Sequence, residues 1–76
     1  MIQELDRIVL TRDVDALGLE VGDVGTVVLV HEGGRGYEVE FVTLAGDTHA
    51  VTTLTAEQVR PIDRHEIALA RSVATA

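Results

Sequence analysis

Apolar and polar residues alternate in short bursts along most of this chain, and the period lengthens only near its end. In Asp6 to Thr11, Ile8 and Leu10 alternate against Arg7, Val9 and Thr11, the period of a half-buried strand. Arg12 to Val21 has no steady period and carries Asp13, Asp15 and Gly18, so it reads as a loop anchored by Leu17 and Leu19. Gly22-Asp23 then turns the chain into a second strand, Val24 to His31, which does not alternate cleanly. Val24, Thr26, Val28 and Val30 fall on one face, Val27 and Leu29 on the other, so both faces are largely apolar and both need cover. A helix, a curled neighbouring strand or a second subunit would supply it.

The glycine-rich stretch Glu32 to Gly36 joins this strand to the next and predicts a hairpin. It is not a phosphate loop, because a strand follows it rather than a helix N-terminus, and no Lys-Ser/Thr pair is present. Gly36 to Leu44 has the cleanest alternation: Tyr37, Val39, Phe41 and Thr43 on one face, Glu38 and Glu40 on the other, with the first three assigned to the core. Ala45-Gly46-Asp47 predicts a second hairpin turn into a Thr/Val-rich strand over Thr48 to Leu54. Thr55-Ala56-Glu57-Gln58 has the form of a capping box with room for a single helical turn. Val59 to Ile62 then reads as a short closing strand that Pro61 confines to an edge or an end. From Asp63 the period changes. Asp63 and Glu66 form a second capping box, Ile67, Ala70 and Val73 or Ala74 share a helical face, and Arg71 sits where a helix dipole favours it. A helix of about three turns is not stable alone, and Val27 with Leu29 is the surface on which Ile67 and Ala70 are expected to dock.

These elements predict a mainly β fold: a small five-stranded antiparallel SH3-like barrel over residues 1–62, with a short C-terminal α-helix and tail, residues 63–76, packed on the same domain. The segments DRIVLTRD, LGLEVGDVGTVV, GYEVEFVTLAGDT and LTAEQVRPI, from Asp6 to Ile62, resemble a family of small, mostly bacterial proteins described as a domain of unknown function, the four-nine-two-six family. More distantly, GDVGTVV is similar to the turn-strand unit of KOW-type modules and of the SH3-like domain in nitrile hydratase β subunits. These resemblances imply the barrel and bring no catalytic residues with them.

Charge sharpens the functional expectation. The net charge of −7 is uneven: residues 1–25 carry six acids against Arg7 and Arg12, residues 26–50 four against Arg35, and residues 51–76 three against three arginines. Such a field repels phosphate backbones and favours basic partners. Nucleic-acid binding would require a basic, aromatic-bearing face, and Tyr37 and Phe41 are the only aromatics. Proline-rich peptide recognition fails for the same lack of aromatics. The chain has no cysteine, so it has neither disulfide nor thiolate metal site. Its N-terminus is acidic, and its longest apolar run, Val27 to Val30, is far short of a membrane span. A cytoplasmic location is expected, with no membrane association.

Chemistry is sparse. His31, His49 and His65 lack ligand spacing, although His31 and His49 could approach across a sheet, and no metal or cofactor is expected. The single serine, Ser72, lies in the tail, and Glu38 and Glu40 occupy outward strand positions where solvated carboxylates are ordinary. No enzymatic activity is expected. The leading expectation is an acidic protein-binding accessory module whose acids Glu32, Glu38, Glu40 and Asp47 face a basic protein. One form of it is the neutralising member of a two-gene, toxin-antitoxin-like pair. The alternative is a structural homo-oligomer whose assembly covers Val27 and Leu29.

Overall fold

The computed structural model describes residues 1–73. Five antiparallel strands form one sheet: β1 (Arg7–Leu10), β2 (Val24–His31), β3 (Gly36–Val42), β4 (Thr48–Thr55) and β5 (Val59–Pro61), in the order β4-β3-β2-β1-β5. Each strand falls where its pattern predicts, within two residues at either end. The long β1–β2 loop contains a single 3₁₀ turn, Asp15–Leu17, closed by Gly18 in the left-handed conformation at φ 69°.

The single turn Ala56–Gln58 between β4 and β5 forms as its capping residues predict, with the Gln58 carboxamide oxygen accepting the Thr55 N–H at 2.8 Å. It is also tied to the end of β1. Thr11 N–H donates to the Gln58 carbonyl at 2.9 Å, and Thr11 Oγ1 donates to the Glu57 carbonyl at 2.6 Å. These bonds align β5 beside β1, where Val59 pairs with Leu10.

The inner face of the sheet is the core. Ile8 and Leu10 of β1, Val27 of β2, Tyr37, Val39 and Phe41 of β3, Leu54 of β4, Val59 of β5 and Leu19 of the long loop pack into one buried cluster. Every strand contributes to it, so the sheet curls around its own inner face. The outer face is also covered at β1: Val9 is buried on the side opposite Ile8 and Leu10, directly between Val24 and Arg60 in the sheet register.

Three expectations are corrected. The sheet is not a closed barrel: β4 and β5 are its edges, and no ladder joins them. Strand β5 has three residues and ends at Pro61, which has no N–H to extend a ladder. Second, Val27 and Leu29 do not share a face. The β2–β3 register shifts between them, so that Val27 lies opposite Val39 and Leu29 opposite Glu38. Val28 is the extra residue of a β-bulge, and one extra residue reverses the inward-outward parity of all that follows. Val27 is fully buried, Leu29 is exposed, and Val30 packs against the core in its place.

The C-terminal helix is the third correction. No helix forms in residues 63–73, and Ala74 lies outside the described residues. Its capping hydrogen bonds are present: Glu66 Oε1 accepts the Asp63 N–H at 2.7 Å and Asp63 Oδ1 accepts the His65 N–H at 2.9 Å. They close a turn that does not propagate. A short helix needs a surface to bury against, and Val27, half of the expected surface, faces the core. Ile67 and Leu69 are accordingly 95% and 93% exposed.

Gly25 leaves no room for a side chain between β2 and β3. A Cβ there would sit 2.5 Å from Val39 Cγ1, 2.9 Å from Phe41 Cε1 and 3.1 Å from the Glu40 carbonyl oxygen. Val39 and Phe41 are buried and cannot yield freely. Gly25→Ala is therefore expected to destabilise the domain by about 1–3 kcal/mol, read as a lowered urea midpoint with unchanged slope. A midpoint equal to that of the wild type would show that β3 can retreat from β2.

Candidate functional site

Strand β3 sets Glu38 and Glu40 on the outer face of the sheet, opposite the buried Tyr37, Val39 and Phe41. Both carboxylates are held by neighbouring side chains. Glu38 Oε2 accepts from His31 Nε2 at 2.7 Å and from Thr53 Oγ1 at 2.5 Å, and Glu40 Oε2 accepts from Thr48 Oγ1 at 2.8 Å. The Thr53 hydroxyl first, then the His31 ring, hold the Glu38 carboxyl below the usual glutamate range. Leu29, Val42 and Val51 surround this pair on the same side of the sheet and are 45%, 44% and 54% exposed.

The four acids read as one face are only partly brought together. Glu32 and Glu38 line one open depression at the β2–β3 turn, together with His31, Thr53 and the basic Arg35. Asp47 stands at the opposite end of β3, in the turn where its N–H donates to Thr43 Oγ1 at 3.1 Å. It neighbours Thr48, which bonds Glu40. Glu38 and Glu40 thus share the outer side of β3, while Glu32 and Asp47 lie in the turns at its two ends. Glu32 sits in its turn at φ 46°, followed by Gly33 at φ 68° and Gly34 at φ 109°, a left-handed sequence that the glycines permit.

His31 and His49 do not approach each other across the sheet. His31 lies opposite Gly36 at the start of β3, whereas His49 lies beside the irregularity between Phe41 and Val42 at its end. There His49 Nε2 donates to the Leu17 carbonyl at 2.6 Å and fastens β4 to the long loop. Among the described residues, no three of His, Cys, Asp and Glu converge as metal ligands.

A second feature was not legible from the sequence. Residues 68–73 cross the end of the sheet and, with Leu19, Val24, Phe41, Val42, Leu44 and His49, enclose an open cleft of about 510 Å³. Arg71 anchors this segment to Asp23, 48 residues away: its Nε donates to Asp23 Oδ1 at 2.8 Å, and its Nη2 donates to Asp23 Oδ2 and to the Gly18 carbonyl. Asp23 Oδ2 also accepts the Glu20 N–H at 2.8 Å, closing the turn before β2. Burial pushes the Asp23 carboxyl up, but the Arg71 hydrogen bonds, the Glu20 amide and nearby positive charge together hold it below its ordinary value. A second anchor precedes it, Arg60 donating from both terminal nitrogens to Glu66 at 2.8 and 2.6 Å. The Arg60 hydrogen bond and the Asp63 amide pull Glu66 down to about 2.

The family model "Domain of unknown function (DUF4926)" matches residues 4–61, and the chain belongs to that family. No curated protein and no solved structure matches the chain significantly. The matched span includes all five strands and both outer-face glutamates and ends before the anchored segment. Among the described residues, no helix is long and apolar enough to cross a membrane.

The two anchors have a pH signature. A carboxyl whose pKa is lower in the folded chain binds fewer protons there than when unfolded, so its contribution is complete above the unfolded value and disappears as pH falls through the folded one. For Glu66 that window runs from the ordinary 4.5 down to about 2, and Asp23 shifts in the same direction from 3.8. Acidification from pH 6 to 2 is expected to raise the backbone mobility of residues 67–73, seen as falling heteronuclear NOEs, before the sheet amides change. Loss of sheet and segment signals together would show that these ion pairs do not hold the segment independently.

Proposed function

We propose that this chain is a non-catalytic protein-binding accessory module whose outer β2–β3–β4 face docks a basic protein. The observation that carries the reading is the placement of Glu38 and Glu40. They are adjacent on one sheet face, oriented by Thr53, His31 and Thr48, and bordered by exposed Leu29, Val42 and Val51. Fixed carboxylates beside apolar surface suit arginine and lysine, whose stems are aliphatic and whose heads are cationic. The overall charge of −7 adds long-range attraction that speeds encounter. One biological form of this reading is the neutralising member of a two-gene pair, with a basic toxin or nuclease as its target. We read the fold as SH3-like, supported by the β2–β3–β4 meander, the single turn before β5 and the pairing of β5 with β1.

The exposed Leu29, Val42 and Val51 favour self-association of the same face as a second reading. Val27 has no part in it, being fully buried in the core.

Pull-down from native lysate with wild type and the Glu38→Arg/Glu40→Arg variant tests the first reading. The variant is expected to lose basic partners that the wild type retains, with an unchanged circular dichroism spectrum, and identical partner lists would remove this face from the proposal. Sedimentation tests the second: self-association predicts a wild-type dimer that Leu29→Asp returns to a monomer, whereas a wild-type monomer at high concentration eliminates it.

A further inference from the structure

Arg71 is bound by a site made entirely from the β1–β2 loop and the start of β2. Its guanidinium meets the two Asp23 carboxylate oxygens and the Gly18 carbonyl at 2.9 Å, and Nη1 lies 3.5 Å from Glu20 Oε2. Asp13 adds a third negative charge felt at the guanidinium. One planar fork thus satisfies a carboxylate and a backbone carbonyl at once, a geometry available to arginine and not to lysine.

The segment that delivers Arg71 is a poor fit for the rest of the site. Among the described residues, the backbone of Ile67–Val73 makes no hydrogen bond to the sheet. Ala68, Leu69 and Ala70 remain exposed although they border the cleft, and the cleft's other apolar lining residues include Val24 and Leu44, which are exposed too, beside the buried Leu19 and Phe41. The seated guanidinium and the underfilled apolar cleft beside it are independent observations, and both point to an extended ligand of which only the arginine is well matched. Three carboxylates against one guanidinium leave the loop negative even when the segment is in place.

We infer that this cleft is a docking site for an extended, arginine-bearing segment of a basic partner protein, and that residues 67–73 are its competitor in cis. The chain's own tail is a strap that the partner must displace. The partner's basic character rests on the reading above, but the residues are different: Asp23, Glu20 and the Gly18 carbonyl rather than Glu38 and Glu40. A tethered competitor acts at an effective concentration in the millimolar range. It therefore lowers the apparent affinity of any ligand by the fraction of time the strap is closed.

The test uses the full-length chain labelled with ¹⁵N, as wild type and as Arg71→Ala, titrated with an unlabelled peptide of residues 66–73. The Arg71→Ala protein is expected to show saturating shifts at Leu19, Asp23 and Val24 at peptide concentrations at least about tenfold below those the wild type needs. The same peptide with lysine in place of its arginine, or Asp23→Asn added to the protein, is expected to abolish saturation. Asparagine can still accept the Glu20 N–H, so the turn survives that change. Equal responses of wild type and Arg71→Ala, no response at millimolar peptide, or equal binding of the lysine peptide would each overturn the inference. So would a wild-type dimer dissolved by Arg71→Ala, which would seat the strap on a second copy. Adding Glu38→Arg/Glu40→Arg to the Arg71→Ala protein is expected to leave peptide binding unchanged, so failure of the outer face and failure of this cleft give different results.

Discussion

The parity of β2 is the constraint on which the rest of the structure depends. Gly25 and Val27 must point inward for β3 to approach, and Val30 must point inward to meet the core beside Tyr37, yet Val27 and Val30 are three positions apart. A regular strand cannot satisfy both, because its faces alternate strictly. The extra residue at Val28 resolves the conflict and sharpens the local twist. That twist helps five short strands to wrap a single apolar cluster without a hydrogen-bonded closure between β4 and β5. A domain of this size buries only about 60% of the surface its unfolded chain exposes, so it has little apolar surface to spare for a misplaced β2.

Once the inner face is filled, the outer face and the loop ends are what the molecule presents to others. The acids are concentrated in the first two-thirds of the chain, and the tail is neutral because it holds as many arginines as carboxylates. Two of those arginines are used within the chain, Arg60 on Glu66 and Arg71 on Asp23. Asp23 performs two tasks with one carboxylate, closing the turn into β2 through Glu20 and holding the strap through Arg71. The turn and the strap are therefore electrostatically linked. Glu38 and Glu40, by contrast, bond to side chains of β2 and β4 and leave their outer surroundings open.

Features set by near neighbours were legible in advance. The alternation of Tyr37, Val39 and Phe41 against Glu38 and Glu40 identified both the core face and the acidic face of β3, and Thr55 with Gln58 identified the single turn before β5. The Asp63–Glu66 capping box is legible as well, and its hydrogen bonds form. What it failed to signal was propagation, because a cap stabilises a helix start and cannot supply the buried face a short helix requires. The face offered for that purpose depended on Val27 and Leu29 sharing a side, and the bulge separated them.

The sequence by itself determined the number and approximate limits of the strands, the turns between them and the side of β3 that is buried. Each of these follows from side-chain period and backbone preference within a few residues. Tertiary structure alone decided the bulge at Val28, the open edges of the sheet, the separation of His31 from His49 and the pairing of Arg71 with Asp23. Those outcomes depend on contacts between distant segments, and neither the position of an extra residue nor the partner of a charge 48 residues away leaves a local periodicity to read. The stretch through Gly25 and Val28 belongs to both groups: its composition marks a strand, and only packing against β3 determines which way each residue faces.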